Sequence, residues 1–124
     1  FGGEGGLDRL TGIVWPEIRK MAEAEIADVK AASPEKVVVL EAAVLLEAGW
    51  EDVVEQLWVV VVDTEVAIER AMARDGVDRE AIQARLDAQL SNDERRAKAD
   101  VVIDNSGTEA DLVAAIDEQW AALA

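Results

Sequence analysis

Seven basic side chains lie between Arg70 and Lys98, and six of the seven are arginines. The same segment holds six acidic residues, so its net charge is +1, whereas the rest of the chain has a net charge of −16. The planar guanidinium group binds phosphate or carboxylate through paired hydrogen bonds. The pattern therefore indicates either an anion-binding segment or a solvated helix with ion pairs between residues i and i+4.

Residue types that the sequence lacks argue against several kinds of chemistry. There is no cysteine, and therefore no disulfide framework, thiolate nucleophile or cysteine metal site. There is also no histidine, which removes the commonest metal ligand and general base. The sequence thus disfavours a zinc enzyme and a Ser-His-Asp hydrolase, and we predict no metal-ligand set within the chain.

Charge and hydropathy limit the expected partners. The net charge of −15 and the pI of about 4.2 are opposite to the balance of a nucleic-acid-binding domain, so we expect no nucleic-acid partner. No run reaches the ~18 apolar residues that a membrane span needs, so we expect no membrane partner. With 51% hydrophobic residues, the 124-residue chain can bury the core of one compact domain.

Three apolar runs predict buried strands, at residues 37–40 (VVVL), 57–63 (LWVVVVD) and 100–104 (DVVID). Continuous apolar runs are typical of parallel strands that are covered on both faces. Residues 1–6 (FGGEGG) are predicted to form a flexible start that builds no core.

Apolar residues at helical spacing predict helices in the rest of the chain. The first covers residues 7–32, with Pro16 placed in a first turn, where its missing N–H costs nothing. Thr64 as N-cap and Gly76 as stop signal predict a second helix. Further helices are predicted at residues 77–90 and 91–99. Capping-box patterns precede the helix at 92 and the closing helix (Ser91 with Glu94, Thr108 with Asp111).

Buried strands that alternate with helices predict an α/β fold with a parallel sheet and right-handed crossovers. Three strands make a very small sheet, and at least one of its edges would be apolar and unpaired, which invites association. Either further strands come from elsewhere, or the chain associates through this apolar sheet edge. The sequence therefore looks like part of a domain.

A series of strings, in order and without gaps, carries a family resemblance. These are VVVLEAAVLLEAGWEDVVEQLWVVVVDTEVAIERAMARDGV, ARLDAQLS and ERRAKADVVIDNSG, followed by the closing helix. Together they resemble the dephospho-coenzyme A kinase family over residues 7–122. The string IVWPEIRK is similar to a helix of that family, and Trp15 in it is similar to the kinase domain of the animal bifunctional coenzyme A synthase.

The resemblance implies a P-loop-kinase-like parallel sheet with helices on both faces, incomplete at its N-terminus, plus a helical lid. Residues 1–35 would form a helical substrate region, residues 36–73 and 99–124 the α/β core, and residues 74–98 the lid. The implied reaction is phosphorylation of the ribose 3′-hydroxyl of dephospho-CoA by ATP, with Mg²⁺ as cofactor, in the cytoplasm. The implied small-molecule partner is dephospho-CoA.

Site residues follow from the same resemblance. Phosphoryl transfer depends mostly on positioning and charge stabilisation, which lid arginines supply. The predicted phosphate-contacting residues are Arg70, Arg74, Arg85 and Arg96. Arg70 and Arg74 lie four residues apart on one helix face and can point at one ligand. The alternative for Arg70 is an ion pair with Glu65 or Glu69.

Two further groups of residues match family positions. The turn Asn105–Gly107 resembles a loop beside the adenine, so Asn105, Ser106 and Gly107 are predicted to bind the nucleotide, the alternative being an ordinary Asx turn. The predicted substrate-binding residues are Arg19, Leu45, Leu46 and Glu47. Two departures from the family pattern lie near them, since Glu41 stands where Asp is usual and Ala43 where Pro is common.

A P-loop kinase needs G-x-x-x-x-G-K-[ST], and no glycine of this sequence is followed by lysine. The family's catalytic Asp is also absent, and Mg²⁺ and ATP phosphates would be held mainly by the missing segment. We expect one of three situations. The chain is a fragment of a normal kinase, a non-catalytic remnant that binds CoA or a nucleotide, or a structural subunit that completes a partner's sheet. By itself it is expected to show little or no turnover.

Overall fold

A computed structural model describes residues 5–123 of the chain. The flexible start predicted for residues 1–6 falls mainly on residues 1–4, which lie outside the described residues. The chain divides into two compact units, residues 1–55 and residues 56–124. The four-segment division into substrate region, core and lid stays a prediction.

A single long helix, α1, dominates the unit of residues 1–55 and runs from Gly6 to Ala32. The prediction that Pro16 occupies a first turn is wrong, because the helix begins ten residues earlier and encloses it. Proline has no N–H, so the carbonyl of Gly12, four residues before it, has no intrahelical donor. Alanine, glutamate and lysine, all strong helix formers, keep the helix continuous beyond Pro16.

Residues 37–40 do not form the predicted strand; their backbone carries no strand pairing. Val37 and Val39 are 56% and 73% exposed. A strand exists only where a neighbouring strand supplies ladder hydrogen bonds, and an apolar run alone does not provide one. The run is followed by turns at residues 43–49 and by a short 3-10 helix, Glu51–Val53. Leu45, within the turns, and Trp50, directly before the 3-10 helix, are buried.

A two-stranded parallel sheet forms the centre of the unit of residues 56–124. Strand β1 covers Trp58–Val61 and strand β2 covers Val101–Asp104, in register from Trp58 opposite Val101 to Val61 opposite Asp104. The second and third predicted strands are confirmed, each shorter than its apolar run. Between them lie three helices, α2 (Thr64–Asp75), α3 (Arg79–Asp87) and α4 (Asn92–Lys98).

Both faces of this sheet contribute to the core. Val59 and Val61 are buried on one face, and Ile103 is buried on the other, because paired residues of neighbouring strands share a face and successive residues alternate. Helix α4 packs against β1, and the closing helix α5 (Glu109–Ala121) packs against β2. The predicted α/β class with a parallel sheet is confirmed.

Local signals explain where these helices begin and end. Asp63, and not the predicted Thr64, is the N-cap of α2, and its carboxylate accepts hydrogen bonds from the N–H groups of Glu65 and Val66. Gly76 ends the helix with a left-handed φ of 65°, as predicted. The hydroxyl of Ser91 caps α4, and the capping box of Thr108 and Asp111 at the start of α5 is confirmed in both directions.

Within residues 5–123, no helix is both long enough and apolar enough to cross a membrane.

Candidate functional site

A pocket of about 320 Å³ opens in the unit of residues 56–124, at the carboxyl ends of the two strands. Val62 follows β1 and Asn105 follows β2, and both line it. Ligands of open parallel sheets bind at this edge. The rest of the lining combines apolar and polar side chains. The apolar side chains are Ala67, Ala71, Ile82 and Leu86. The polar side chains, besides Asn105, are Arg70, Arg74, Arg85 and Gln89.

Packing of α2 against α3 brings the predicted arginines together. Arg70 and Arg74 lie four residues apart on α2, and Arg85 lies near the end of α3. Ile68 and Ile82 are 0% and 3% exposed and anchor the two helices in the core. Three of the four predicted phosphate-contacting residues therefore line one pocket.

Asp75 is the anionic partner of two of these arginines. Arg74 binds it through Nε to Oδ1 at 2.7 Å and through Nη2 to Oδ2 at 2.9 Å, and Arg85 Nη1 lies 3.3 Å from Oδ2. The hydrogen bonds from Arg74 lower the pKa of Asp75, with a further contribution from Arg85. One carboxylate thus holds two guanidinium groups close together against their mutual repulsion.

Arg70 makes a different kind of contact. Its Nη1 donates to the carbonyl oxygen of Asn105 at 2.5 Å, and its Nη2 donates to that of Gly107 at 2.8 Å. Neither alternative ion pair of Arg70, with Glu65 or with Glu69, forms among residues 5–123, and Glu65 is bound by Arg79 at 2.6 Å. Arg70 therefore joins the middle of α2 to the turn after β2.

The fourth predicted residue, Arg96, lies on α4 and does not line this pocket. Its Nη1 is 3.6 Å from the carboxylate of Asp93. It also lies near enough to Asp104, the last residue of β2, to help lower that carboxyl's pKa. The larger cause of the lowered pKa of Asp104 is hydrogen bonding from the hydroxyl and the N–H of Ser106.

The predicted nucleotide-binding turn, residues 105–107, is tied to both strand ends. Asn105 donates its N–H to the carbonyl of Val61 at 2.7 Å, and the hydroxyl of Ser106 accepts the N–H of Asp63 at 2.8 Å. Ser106 also donates its own N–H to Asp104 at 2.8 Å. The side chain of Ser106 is thereby engaged within the protein, whereas Asn105 lines the pocket.

Gly107 lies close to the side chain of Asp111. A Cβ at this position would lie 2.6 Å from Oδ2 of Asp111. That oxygen accepts the N–H of Thr108 at 3.0 Å, which is one half of the capping box. The missing side chain at 107 thus lets the turn run directly into the capped helix α5.

The predicted substrate-binding residues lie in the other unit. Arg19 binds Asp52 through both terminal nitrogens, at 3.0 and 2.7 Å, and Glu23 through Nε at 3.0 Å. The hydrogen bonds from Arg19 lower the pKa of Asp52. This bidentate pair connects α1 to the 3-10 helix at residues 51–53.

A groove of about 450 Å³ lies beside this pair. Its lining includes Gly12, Trp15 and Arg19 of α1, together with Trp50. Leu45, Leu46 and Glu47 do not line it. Leu45 is buried, and the carbonyls of Leu45 and Leu46 accept the N–H groups of Trp50 and Gly49 at 3.0 and 3.1 Å. These two leucines therefore form the turn that holds Trp50.

Two contributors to these sites escaped the sequence reasoning. Asp75 follows Arg74 directly, which was the available signal, but its contact with Arg85 depends on how α2 and α3 pack. Gln89 lines the pocket without any charge or motif to single it out. Among residues 5–123 there is no group of three or more acidic side chains placed to hold a metal ion.

Comparisons with known proteins agree with the resemblance. The family described as CoaE, dephospho-CoA kinase, matches residues 1–111. A dephospho-CoA kinase of Geobacter sulfurreducens is 43% identical over 121 residues, which cover 98% of this chain and 61% of that protein. One of Thermobifida fusca is 37% identical over 120 residues, which cover 97% of this chain and 58% of that protein.

Two solved structures are similar in fold. The crystal structure of TT1252 from Thermus thermophilus matches with a TM-score of 0.75 at 34% identity, over 95% of this chain and 60% of that one. A dephospho-CoA kinase from Campylobacter jejuni matches with a TM-score of 0.70 at 25% identity, over 99% of this chain and 60% of that one. The chain thus spans less than two thirds of the length of these relatives, and it belongs to the dephospho-CoA kinase family.

Proposed function

We propose that this chain is part of a dephospho-CoA kinase that transfers the γ-phosphoryl group of ATP to the ribose 3′-hydroxyl of dephospho-CoA. The observation that carries the proposal is the pocket at the carboxyl ends of the strands, where Arg70, Arg74 and Arg85 meet Asn105. A cationic pocket at this edge of a parallel sheet suits a nucleotide with several phosphates.

In this proposal, Arg74 and Arg85 stabilise the negative charge of the transferring phosphoryl group. Charge in the transition state is spread over the equatorial oxygens of that group, and preorganised donors lower its energy. Asp75 holds the two guanidinium groups in place before the ligand arrives. A phosphate would then compete with Asp75 for donors that already point in one direction.

The nucleotide base would lie on the side of the turn at residues 105–107, with Asn105 facing it. Residues 74–98 would act as the lid, and Arg96 would approach the phosphates only through a movement of α4. Mg²⁺ bound to ATP would supply further charge stabilisation. Its ligands are assigned to the nucleotide and to a P-loop segment, whose motif this sequence does not contain.

Dephospho-CoA would be bound by the unit of residues 1–55, with residues 1–35 as the helical substrate region. The groove beside Arg19 has indole surface from Trp15, a lining contribution from the mostly buried Trp50 and exposed backbone at Gly12, which suits an elongated, partly apolar ligand. Arg19 would shape this groove by fixing Asp52, and Leu45 and Leu46 by fixing Trp50. Glu47 is exposed and would contact substrate directly.

The reaction itself needs a base and a phosphate cradle, and the sequence has neither a P-loop nor the matching Asp. We therefore expect the 124-residue chain to bind ligands with little or no turnover. A structural subunit is the second candidate, favoured by the small two-stranded sheet, on whose opposite faces Val60 and Val102 remain 47% and 41% exposed.

The test is CoA formation from dephospho-CoA and Mg·ATP by the 124-residue chain, with tryptophan fluorescence followed in the same titration. We expect a fluorescence change that saturates with ligand and no turnover. Turnover would contradict the assignment of the cradle to a missing segment. A flat titration combined with self-association in sedimentation would favour the structural subunit.

A further inference from the structure

Arg70 was predicted to contact phosphate, yet its two terminal nitrogens are engaged by main-chain carbonyls. The acceptors, the oxygens of Asn105 and Gly107, belong to residues 35 and 37 positions further along the chain. Bidentate binding of a phosphate by the same two nitrogens would leave both carbonyls without this donor. Both hydrogen bonds are exposed, so water can satisfy the carbonyls, but the turn would lose its restraint from α2.

Arg74 and Arg85 stand in a different situation. Their shared partner is a carboxylate, Asp75, whose side chain is 27% exposed. Exchange of one anion for another keeps every donor satisfied, and the released carboxylate can be hydrated. The two kinds of partner therefore divide the arginines of the pocket into a pair suited to anion exchange and one residue fixed to the backbone.

The turn that Arg70 holds is fastened from the opposite side by the strand ends. The N–H of Asn105 is bound to Val61, and the hydroxyl of Ser106 is bound to the N–H of Asp63. Arg70 adds a restraint from the middle of α2. Asn105 lines the pocket, and its side-chain amide makes no hydrogen bond within the part of the chain that the structure describes.

We propose that Arg70 is a positioning residue for the nucleotide base, which acts by clamping the turn Asn105–Gly107, and that it is not a phosphate ligand. This inference rests on the proposed nucleotide site and deepens it. The clamp fixes the backbone from which the side chain of Asn105, a residue that lines the pocket, projects. An amide carries one donor group and one acceptor, the pair of functions that a planar nucleobase edge presents in return.

The test uses the 124-residue chain with the substitutions Arg70→Gln and Arg70→Lys. Arg70→Gln removes both the positive charge and the pair of guanidinium donors. Arg70→Lys keeps the charge but loses the paired donors, since a single ammonium cannot reproduce their geometry. Arg79→Gln is the matched control, because Arg79 also lies near α2, binds Glu65 and does not line the pocket. It loses one positive charge without touching the turn.

Two ligands distinguish an effect on base recognition from an effect on phosphate binding. ADP carries both, whereas inorganic tripolyphosphate carries phosphates alone. We expect Arg70→Gln and Arg70→Lys each to weaken ADP binding about tenfold, the size expected for lost charge-assisted hydrogen bonds. Tripolyphosphate affinity should change in Arg70→Gln no more than in Arg79→Gln. A selective loss of tripolyphosphate binding in Arg70→Gln would make Arg70 a phosphate ligand and overturn the proposal.

Hydrogen exchange without any ligand tests the clamp independently of the proposed function. Amides of Asn105, Ser106 and Thr108 should exchange about tenfold faster in both Arg70 variants than in Arg79→Gln, while those of β1 and β2 keep their protection. Unchanged exchange at the turn would overturn the clamp. If the wild type binds neither ligand, the nucleotide site and the base-positioning role are both wrong, even where exchange confirms the clamp.

Discussion

The two units place arginine in opposite electrostatic settings. In the unit of residues 1–55, one guanidinium, Arg19, is matched by two carboxylates, Glu23 and Asp52. In the unit of residues 56–124, the single carboxylate of Asp75 is shared by Arg74 and Arg85. The first arrangement is saturated and holds two elements together. The second leaves excess positive charge facing a pocket, which makes it the better site for an anionic ligand.

The largest effect should come from removing that excess charge. We expect the double substitution Arg74→Gln and Arg85→Gln to weaken ADP binding by about 30-fold or more, since each lost guanidinium removes a charge-assisted contact to phosphate. Isothermal titration with ADP measures this. Arg79→Gln is the control for charge alone. An unchanged affinity would contradict the proposed difference between the two units, because the pocket would then attract anionic ligands no better than the Arg19 groove.

Glycine substitutions should affect the two units in opposite directions. Gly107→Ala places a methyl group against Asp111 and should lower the thermal midpoint by about 5 °C through loss of the cap of α5. Gly12→Ala lies inside α1, where nothing occupies the space within 4 Å of the added carbon. It should stabilise the helix by about 0.5–1 kcal/mol. Thermal unfolding followed by circular dichroism measures both changes. A rise of the thermal midpoint in Gly107→Ala as well as in Gly12→Ala would contradict the steric argument at Gly107.

Acid should loosen the turn after β2. The folded pKa of Asp104 lies below its ordinary value of 3.8, mainly because Ser106 donates to the carboxylate. A lowered pKa contributes stability that is present above 3.8 and is lost as the pH falls through the folded value. The thermal midpoint should therefore be lower at about pH 3 than at about pH 6, and this drop should be smaller in Asp104→Asn.

The pKa of Asp52 is also lowered, in its case by Arg19, so Asp52→Asn is the matched variant in the other unit. If Asp104→Asn responds to acid as the wild type does, Ser106 is not the source of the effect.

The smallest effect is expected for Arg19→Gln. Its ion pairs are solvent-exposed, with side chains 30%, 47% and 68% accessible, and such pairs contribute little to stability. ADP affinity should stay within about twofold, since the charge is already matched by carboxylates. A larger loss, measured by the same titration, would mean that the groove of residues 1–55 takes part in nucleotide binding.

Much of the fold could be predicted where the signal is local. The apolar runs around Val59 and Ile103 form strands because each supplies the other's hydrogen-bond ladder. Gly76 ends α2 through its left-handed backbone, and Thr108 begins α5 through its capping hydroxyl. The run at residues 37–40 has the same composition but no pairing partner, so its prediction as a strand was wrong. The prediction that Pro16 lies in a first turn was wrong because helix formers on both sides outweigh one missing N–H donor.

The site could be predicted only in part. Helical spacing placed Arg70 and Arg74 on one face, but it could not show that Arg70 reaches two carbonyls more than 30 residues away. The sharing of Asp75 depends in the same way on the packing of α2 against α3. Residue types predicted the kind of contact, whereas the partner of each side chain is set by tertiary structure.

The attachment of α2 to the turn at residues 105–107 has a consequence for motion. Asp63 at the start of the helix and Arg70 seven residues later both bind that turn, at points about 10 Å apart along the helix axis. Two such anchors prevent α2 from pivoting or sliding independently of the sheet. Rearrangement of α3 upon ligand binding is therefore expected to swing about Gly76, the left-handed residue at which the anchored helix ends.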